Sequence, residues 1–418
     1  MKQYDSYKDS GVEWIGEVPN HWEIMPLKFT GTFGNGLTYS PKDVVDNGIL
    51  VLRSSNIQNS SLSFEDNVYV SNVSKVLLVQ KGDVIICSRN GSAALVGKSA
   101  FIDKDINATF GAFMMRYIPK INKKYGFYLC QTAIGRYKGY FATTTINQLT
   151  KSTIGEMKVP LANTEEQNAM VTYLDKKCSE IDNVISAQQK RIALLQELKQ
   201  SVITHAVTKG LNPNVEMDAA EEDWINRLPA SWGKAKLKYY IHLVNGRAYS
   251  QSELLSEGKY KVLRVGNFFT NDTWYYSNME LEEDKYCNNG DLLYAWSASF
   301  GPYIWNQDKT IYHYHIWKVC YKECMDKMYV YYLLKAITNF KLGDIHGSTM
   351  VHITMESMNN SVIPIPSFNE QKDIATFLDK KCASIDNALT KAQHQVELLQ
   401  KYKQSLITEV VTGKRKVC

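Results

Sequence analysis

The sequence predicts an α+β protein with a pseudo-two-fold internal repeat. Two mixed α/β globular domains are separated by two long helices, and the helices form an antiparallel coiled coil. Three observations lead there. The first is an ungapped duplication in which Glu166–Thr208 recurs as Glu370–Thr412, each residue 204 positions after its mate. The second is an apolar seam with alternating steps of four and three inside both copies. The third is a weaker echo of the region before one helix in the region before the other.

The duplicated stretch is dense in shared words. LDKKC at Leu174–Cys178 returns at Leu378–Cys382, IDN at Ile181–Asn183 returns at Ile385–Asn387, and LLQ at Leu194–Gln196 returns at Leu398–Gln400. The seam of the first copy runs through Leu174, Cys178, Ile181, Ile185, Gln188, Ile192, Leu195, Lys199, Val202 and Ala206. That of the second runs through Leu378, Cys382, Ile385, Leu389, Ala392, Val396, Leu399, Lys403, Leu406 and Val410. A four-three seam held over about four heptads is the signature of a coiled coil rather than of a surface helix. Ser367 with Glu370 reads as a capping box, Asn163 with Glu166 as a variant of it, and Gly210 and Gly413 follow as stops. Lys199 and Lys403 interrupt the seam at matching places. Two readings are open: they snorkel near a helix end, or they fix the register.

The domain plan follows. Residues 1–160 form the first globular domain, 161–210 the first long helix, 211–364 the second domain and 365–418 the second long helix. Trp14-Ile-Gly-Glu-Val-Pro19-Asn-His-Trp22 is echoed by Trp224-Ile-Asn-Arg-Leu-Pro229-Ala-Ser-Trp232. Asn35-Gly36-x-x-Tyr39-Ser40 matches Asn245-Gly246-x-x-Tyr249-Ser250, Val51-Leu52-Arg53 matches Val262-Leu263-Arg264, and Gly82-Asp83 matches Gly290-Asp291. The offsets drift between landmarks, as they do when loops vary around a common frame. Between the landmarks the halves diverge into short strands and turns. Expected strands are Val84–Cys87, Phe113–Ile118, Leu292–Trp296 and Tyr312–Val319, with helices near Tyr125–Tyr137 and Met328–Phe340. Pro160 and Pro364 are expected to end the last strand of each domain.

Bulk properties narrow the class. With 418 residues, 44% hydrophobic and 22% charged, the chain has the composition of a globular protein of two or more domains. The opening MKQYDSYKDS carries no apolar run, and no stretch approaches the length of a bilayer span, so a reduced cytoplasmic setting is expected. The net charge of +5 permits a nucleic-acid partner without demanding one.

A helix of this length and amphipathicity needs a partner for its seam, and the other copy supplies it. Two related heads joined by a helical bar roughly 65 Å long suit a partner with two related sites at fixed spacing. Double-stranded DNA with a bipartite site is such a partner. The candidate DNA-contacting residues are Lys42, Arg53, Arg89, Asn90, Lys98 and Thr144 in the first half. In the second they are Arg247, Arg264, Trp274, Tyr275, Lys309, Ser348 and Thr349. Lys and Arg bind phosphates, Arg and Asn read base edges, and loop aromatics such as Trp274, Tyr275 and Tyr276 can meet bases or sugar. Thr143–Thr145 and Gly347–Thr349 can donate to phosphates or simply form turns. Taken singly, each of these polar residues also fits a solvated surface role.

The order of these elements resembles the specificity subunit of type I restriction–modification systems. The resemblance rests on four features: the W-I-x-x-x-P-x-x-W opening of each half, the G-x-x-Y-S element, the G-D-[VL]-[IL] strand, and the P-x(5)-E-Q approach to a leucine-rich helix. It spans the whole chain, twice. It implies that the globular parts are target recognition domains, each reading half of a split site. It also implies that the coiled coil sets the spacer and docks two methyltransferase subunits, with S-adenosylmethionine bound on those partners and none in this chain. A motor-nuclease restriction subunit joins for cleavage. The recognition subunit itself is then non-catalytic, and no phosphate loop of the G-x(4)-G-K-[ST] type occurs. Asn212-Pro213-Asn214 is not the Asn-Pro-Pro-aromatic element of adenine methyltransferases. A structural coiled-coil scaffold that binds only proteins is the alternative.

Two tempting clusters are set aside on the sequence. His313-x-His315 with Cys320-x-x-x-Cys324 has zinc-ligand residue types, yet the spacing is loose and the first half has no counterpart. Ordinary strand histidines and buried cysteines explain it as well, and no metal is expected. Glu257-x-Lys259 resembles the tail of a nuclease motif but is short enough to arise in any charged loop.

Overall fold

The computed structural model describes residues 3–141, 148–222, 224–269, 271–297, 299–343 and 353–417. It divides into two compact units, 1–188 with 395–418, and 189–394. Each unit therefore combines one globular domain with a portion of both long helices.

In the first unit, an antiparallel four-stranded sheet has the order Ser99–Phe101, Val84–Cys87, Met114–Pro119, Gly31–Asn35. A second four-stranded sheet has the order Ala108–Phe110, Ile49–Leu52, Tyr69–Val70, Val44–Val45, and its first two strands run parallel. Helix α1 (Lys123–Phe141), the short α2 (Lys151–Gly155) and the long α3 (Thr164–Lys209) follow. The second unit repeats the plan. Its antiparallel sheet has the order Ile241–Asn245, Ile316–Tyr321, Leu292–Ala295, Gly301–Ile304. Its companion sheet again contains a parallel pair, Tyr260–Leu263 beside Thr310–Tyr312. Helices α4 (Lys327–Gly343), α5 (Met355–Asn359) and α6 (Phe368–Val411) complete it.

The long helices begin and end for identifiable reasons. Asn163 Oδ1 accepts from Glu166 N–H at 2.9 Å and Glu166 Oε2 accepts from Asn163 N–H at 3.3 Å, the reciprocal box expected there. At α6, Ser367 Oγ accepts from Glu370 N–H at 3.4 Å. Gly210 and Gly413 hold φ of 71° and 75°, the left-handed conformation that stops a helix with least strain in glycine. The helices run antiparallel within each unit. In the first, Asp182 meets Lys403 while Tyr173, nearer the start of α3, meets Arg415 past the end of α6. In the second, Lys199 meets Asp386 while Gly210 lies against Glu370.

Of the seam residues, Leu174, Cys178, Ile181, Ile185, Leu378, Cys382 and Ile385 are buried. Ile192, Leu195, Leu389, Val396 and Leu399 are half-buried, as two helices alone cover a seam less completely than helices backed by a domain. Leu174, Ile181 and Ile185 join Trp22, Tyr117 and Tyr125 in the first core, and Leu378 joins Trp317 and Tyr329 in the second. Repeated hydrogen bonds tie domain to helix. Tyr128 Oη donates to Asp175 and Tyr332 Oη to Asp379, both at 2.8 Å. Gln167 Oε1 accepts from Asn122 N–H at 3.0 Å and Gln371 Oε1 from Asp326 N–H at 2.8 Å. The Gln of each repeat is thus a latch that caps the neighbouring helix, while Glu166 also caps its own helix.

Three expectations need correction. Pro160 and Pro364 do not end their strands; they lie within Lys158–Leu161 and Val362–Ile365, opposite Ile24 and Lys234. Each sheet there has only two strands, so the missing N–H can face away from the pairing. Tyr312–Val319 is not one strand: Thr310–Tyr312 and Ile316–Tyr321 belong to different sheets, and His313–His315 form the turn between them. Tyr275 and Tyr276 lie not in a loop but in strand Tyr275–Ser277, paired with Tyr260–Leu263, as the strand preference of aromatic side chains allows.

Candidate nucleic-acid interface

In the first domain the parallel pair of strands ends at an open cleft of ≈ 1340 Å³ lined by Tyr39, Arg53, Ser54, Arg89, Asn90 and Phe113, among others. Three candidates from two separated parts of the chain, Arg53 and the pair Arg89 and Asn90, converge here. Arg53 follows strand Ile49–Leu52, where its N–H donates to Asn56 Oδ1 at 2.9 Å and starts a 3-10 turn. Its guanidinium pairs with Asp66 Oδ1 at 2.7 Å. Asp66 is held below the usual carboxylate range by a hydrogen bond from Ser55 and by Arg53. Arg89 lies over the Phe113 ring at 5.3 Å. Asn90 Nδ2 donates to Ser54 Oγ at 3.1 Å, and Lys98 Nζ donates to Ser54 O at 3.4 Å. A planar cation, an amide and exposed aromatic surface thus share one cleft, which are the groups that contact base edges and phosphates. Lys42 is exposed in the 3-10 turn Pro41–Asp43, next to the cleft-lining Pro41.

The second domain repeats the framework with other side chains. Arg264 occupies the place of Arg53, again starting a turn closed by Asn267, and lies over Tyr275 at 5.3 Å. Arg247 pairs with Glu253 at 2.7 Å and lies over Tyr249 at 5.2 Å. Arg247 and Ser250 pull the Glu253 carboxyl down to about 2. Trp274 is half-buried against Trp305, with Lys261 Nζ 5.0 Å from its ring centroid. Lys309 is held by Glu283 at 2.8 Å and lies 4.1 Å over Tyr286. Lys309 and Arg247 therefore carry carboxylate partners that a phosphate would have to displace. Thr144, Ser348 and Thr349, with the rest of Thr143–Thr145 and Gly347–Thr349, lie outside the described residues.

Sequence reasoning missed the residues that complete these sites. Ser54, Asp66 and Phe113 line the first cleft, and in the second domain Trp296, Tyr314 and the two histidines pack as one ring cluster at the matching turn. The available signal was the repeated Asn-Gly. A Cβ on Gly36 would collide with the carbonyl of Gly111, and one on Gly246 with that of His313. The paired glycines thus mark the turn they approach. The metal reading of this region meets a different arrangement. His313 and His315 sit in a turn, Cys320 and Cys324 are exposed rather than buried, and no group of three metal-ligating side chains gathers among the described residues.

Comparison with known proteins bears on these sites. The family model for the type I restriction modification DNA specificity domain matches residues 19–194 and again 229–399. The chain is 26% identical over 434 residues to a Methanocaldococcus jannaschii protein described as the MjaX type I restriction enzyme specificity subunit, covering 96% of both chains. It is 24% identical over 297 residues to the EcoKI specificity subunit of Escherichia coli K12, covering 67% of this chain and 62% of that one. A chain from a solved structure concerned with assembly and conformational transition of the type I R-M system shares the fold. Its TM-score is 0.69 at 14% identity, covering 94% of this chain and 98% of that one. With both domain–helix repeats matched, the chain belongs to the type I restriction modification DNA specificity family, as a specificity subunit that recognises DNA sequence.

Proposed function

We propose that this chain is the non-catalytic recognition subunit of a cytoplasmic type I restriction–modification complex, and that each globular domain reads one half of a bipartite site in double-stranded DNA. The observation that carries this reading is the pair of sites at the same place in two repeated domains, built on like backbones with unlike side chains. Such a pair suits two half-sites of different sequence. In this reading the long helices set the length of the unread spacer.

Two methyltransferase subunits dock on the helices and bring S-adenosylmethionine, and a motor-nuclease subunit joins for restriction. Support comes from apolar side chains left uncovered at matching positions of the two helices. Leu194 and Leu198 are 64% and 48% exposed, and their mates Leu398 and Tyr402 are 50% and 51% exposed. Each pair is spaced four residues apart and so shares a helix face. A surface that occurs twice fits a partner present in two copies.

The test is to co-express the chain with its methyltransferase partner and map methylated adenines on host DNA. A split motif with a constant gap is the expected result. A continuous short motif would leave one domain without a reading role. A stable complex that marks no sequence would instead favour a scaffold that binds only proteins.

A further inference from the structure

The turn that links the two sheets has the same backbone hydrogen bonding in both domains. In the first, Gly111 N–H donates to Leu52 O at 3.0 Å and Met114 N–H to Gly111 O at 2.8 Å. In the second, His313 N–H donates to Leu263 O and Ile316 N–H to His313 O, both at 2.9 Å. The flanking chain docks alike, through Leu37 N–H to Phe110 O at 2.7 Å and Arg247 N–H to Tyr312 O at 3.1 Å. What differs is the side chains. The first turn carries Gly111, Ala112 and Phe113, and it lines the cleft into which Arg89 and Asn90 reach. The second carries His313, Tyr314 and His315.

These three rings form one cluster with Trp296. His313 and Tyr314 centroids lie 4.4 Å apart, Tyr314 and His315 4.0 Å, and His315 and Trp296 5.0 Å. Trp296 Nε1 donates to Tyr314 O at 2.7 Å, which holds the turn in place. Tyr314 is 38% exposed and both histidines are half-buried, so the cluster reaches the surface.

We propose that the turn His313–His315 is the specificity-determining element of the second domain, reading base edges with its rings where the first domain uses Arg89 and Asn90. The inference rests on the assignment of one half-site to each domain. Burial, His315 and Arg264 together push the His313 imidazole down to about 4, so the ring is neutral at neutral pH. His313 Nδ1 accepts from His315 N–H at 3.4 Å, which leaves Nε2 to donate, and the Tyr314 phenol both donates and accepts, whereas a guanidinium only donates. The second turn can therefore meet base edges that present an amino group beside an acceptor, a pattern found in the major groove. Its backbone is fixed by Leu263, Arg247 and Trp296, so the rings are held before any DNA arrives.

The experiment compares the wild-type complex with variants in this chain, each co-expressed with the methyltransferase partner, with methylated motifs read by sequencing. The variants are the triple exchange H313G/Y314A/H315F, which installs the first domain's turn, the single changes H313Q and H315F, and R89A/N90A. The turn variants should lose discrimination at one or two base positions of one half-site, about tenfold or more. The other half-site and the gap should stay unchanged, and R89A/N90A should relax that other half. If the triple variant fails to fold, the two single changes decide. Retention of both half-sites by every turn variant that assembles would overturn the proposal. A wild-type complex that marks one continuous motif would overturn the two-reader assignment instead, and this inference with it.

Discussion

Lys199 Nζ lies 2.6 Å from Asp386 Oδ1 and 2.7 Å from Oδ2, and its repeat mate Lys403 meets Asp182 at 2.7 and 2.6 Å. Each lysine that interrupts the apolar seam is thus answered by an aspartate of the IDN motif on the opposing helix. Of the two readings the sequence left open, cross-helix pairing favours register. The lysine side chains are 23% and 21% exposed and the aspartates 51% and 53%, so each pair is partly screened. Such a pair contributes about 0.2–1 kcal/mol when formed. Its larger effect is against slipped pairings, which would leave a lysine facing apolar residues.

Charge reversal tests this directly. K199E should place two acids together and lower the unfolding midpoint by a few degrees, about 2–4 °C per kcal/mol for a unit of this size. K199E/D386K should restore most of the loss. Failure of the double variant to recover would mean the pair does not act as a unit.

Length should translate into spacing under the proposed function. Four residues inserted between Leu194 and Ser201, matched by four between Leu398 and Ser405, add about 6 Å of helix, near two base pairs. The methylated half-sites should keep their sequence while the gap lengthens. Altered half-sites with an unchanged gap would contradict the spacer role.

Glu166 and Glu370 are sequence mates with unequal work. Glu166 is buried, accepting from Trp22 Nε1 at 3.0 Å and lying 3.0 Å from His21 Nε2. In the other repeat Ser231 stands where His21 does, and the buried Trp232 Nε1 has no hydrogen-bond partner. E166A should therefore cost about 1–3 kcal/mol by stranding a buried indole N–H, and E370A less. Denaturant titration of the two variants measures the difference, and equal losses would refute it.

The glycines behind the two clefts admit a sharper test. G36A and G246A force a Cβ onto a backbone carbonyl, of Gly111 and His313 respectively. Backbone cannot rotate aside as a side chain does, so each change should cost about 1–3 kcal/mol or more. Each should also displace its own turn. G34A, where nothing lies near the added Cβ, is the control and should be nearly neutral.

His313 supplies a pH dependence whose sign is fixed. Its pKa is about 4 when folded and 6.5 in the free side chain. Between those values the unfolded chain holds a proton that the folded chain does not, so this residue's contribution to stability is complete above pH 6.5 and declines as pH falls toward 4. Solvent screening of a half-buried ring keeps the effect below the ~1.4 kcal/mol per unit of a fully buried one. H313Q should flatten the fall in unfolding midpoint between pH 7 and pH 5 relative to wild type.

Legibility differed sharply between helix and cleft. The Leu174–Ala206 and Leu378–Val410 seams, the Asn163–Glu166 box and the stops at Gly210 and Gly413 could be read because each depends on spacing within a few residues. Arg53, Arg89 and Asn90 were identifiable as types, but nothing local places residues 53, 66, 89 and 113 around one cleft. Pairing of strands from distant parts of the chain does that. His313-x-His315 shows the opposite failure. Its alternation reads as a strand, yet the chain changes sheets there, and only the strand register reveals the turn.

The sequence by itself determined the repeat, the paired helices and the family, because periodicity and recurring motifs are properties of the chain taken in order. The tertiary structure decided which lysine meets which aspartate, why Gly36 and Gly246 must lack a side chain, and that two turns with the same backbone carry Gly-Ala-Phe in one domain and His-Tyr-His in the other. Those facts depend on distances between segments far apart in sequence, and hydrogen-bonded sheet register is what sets such distances.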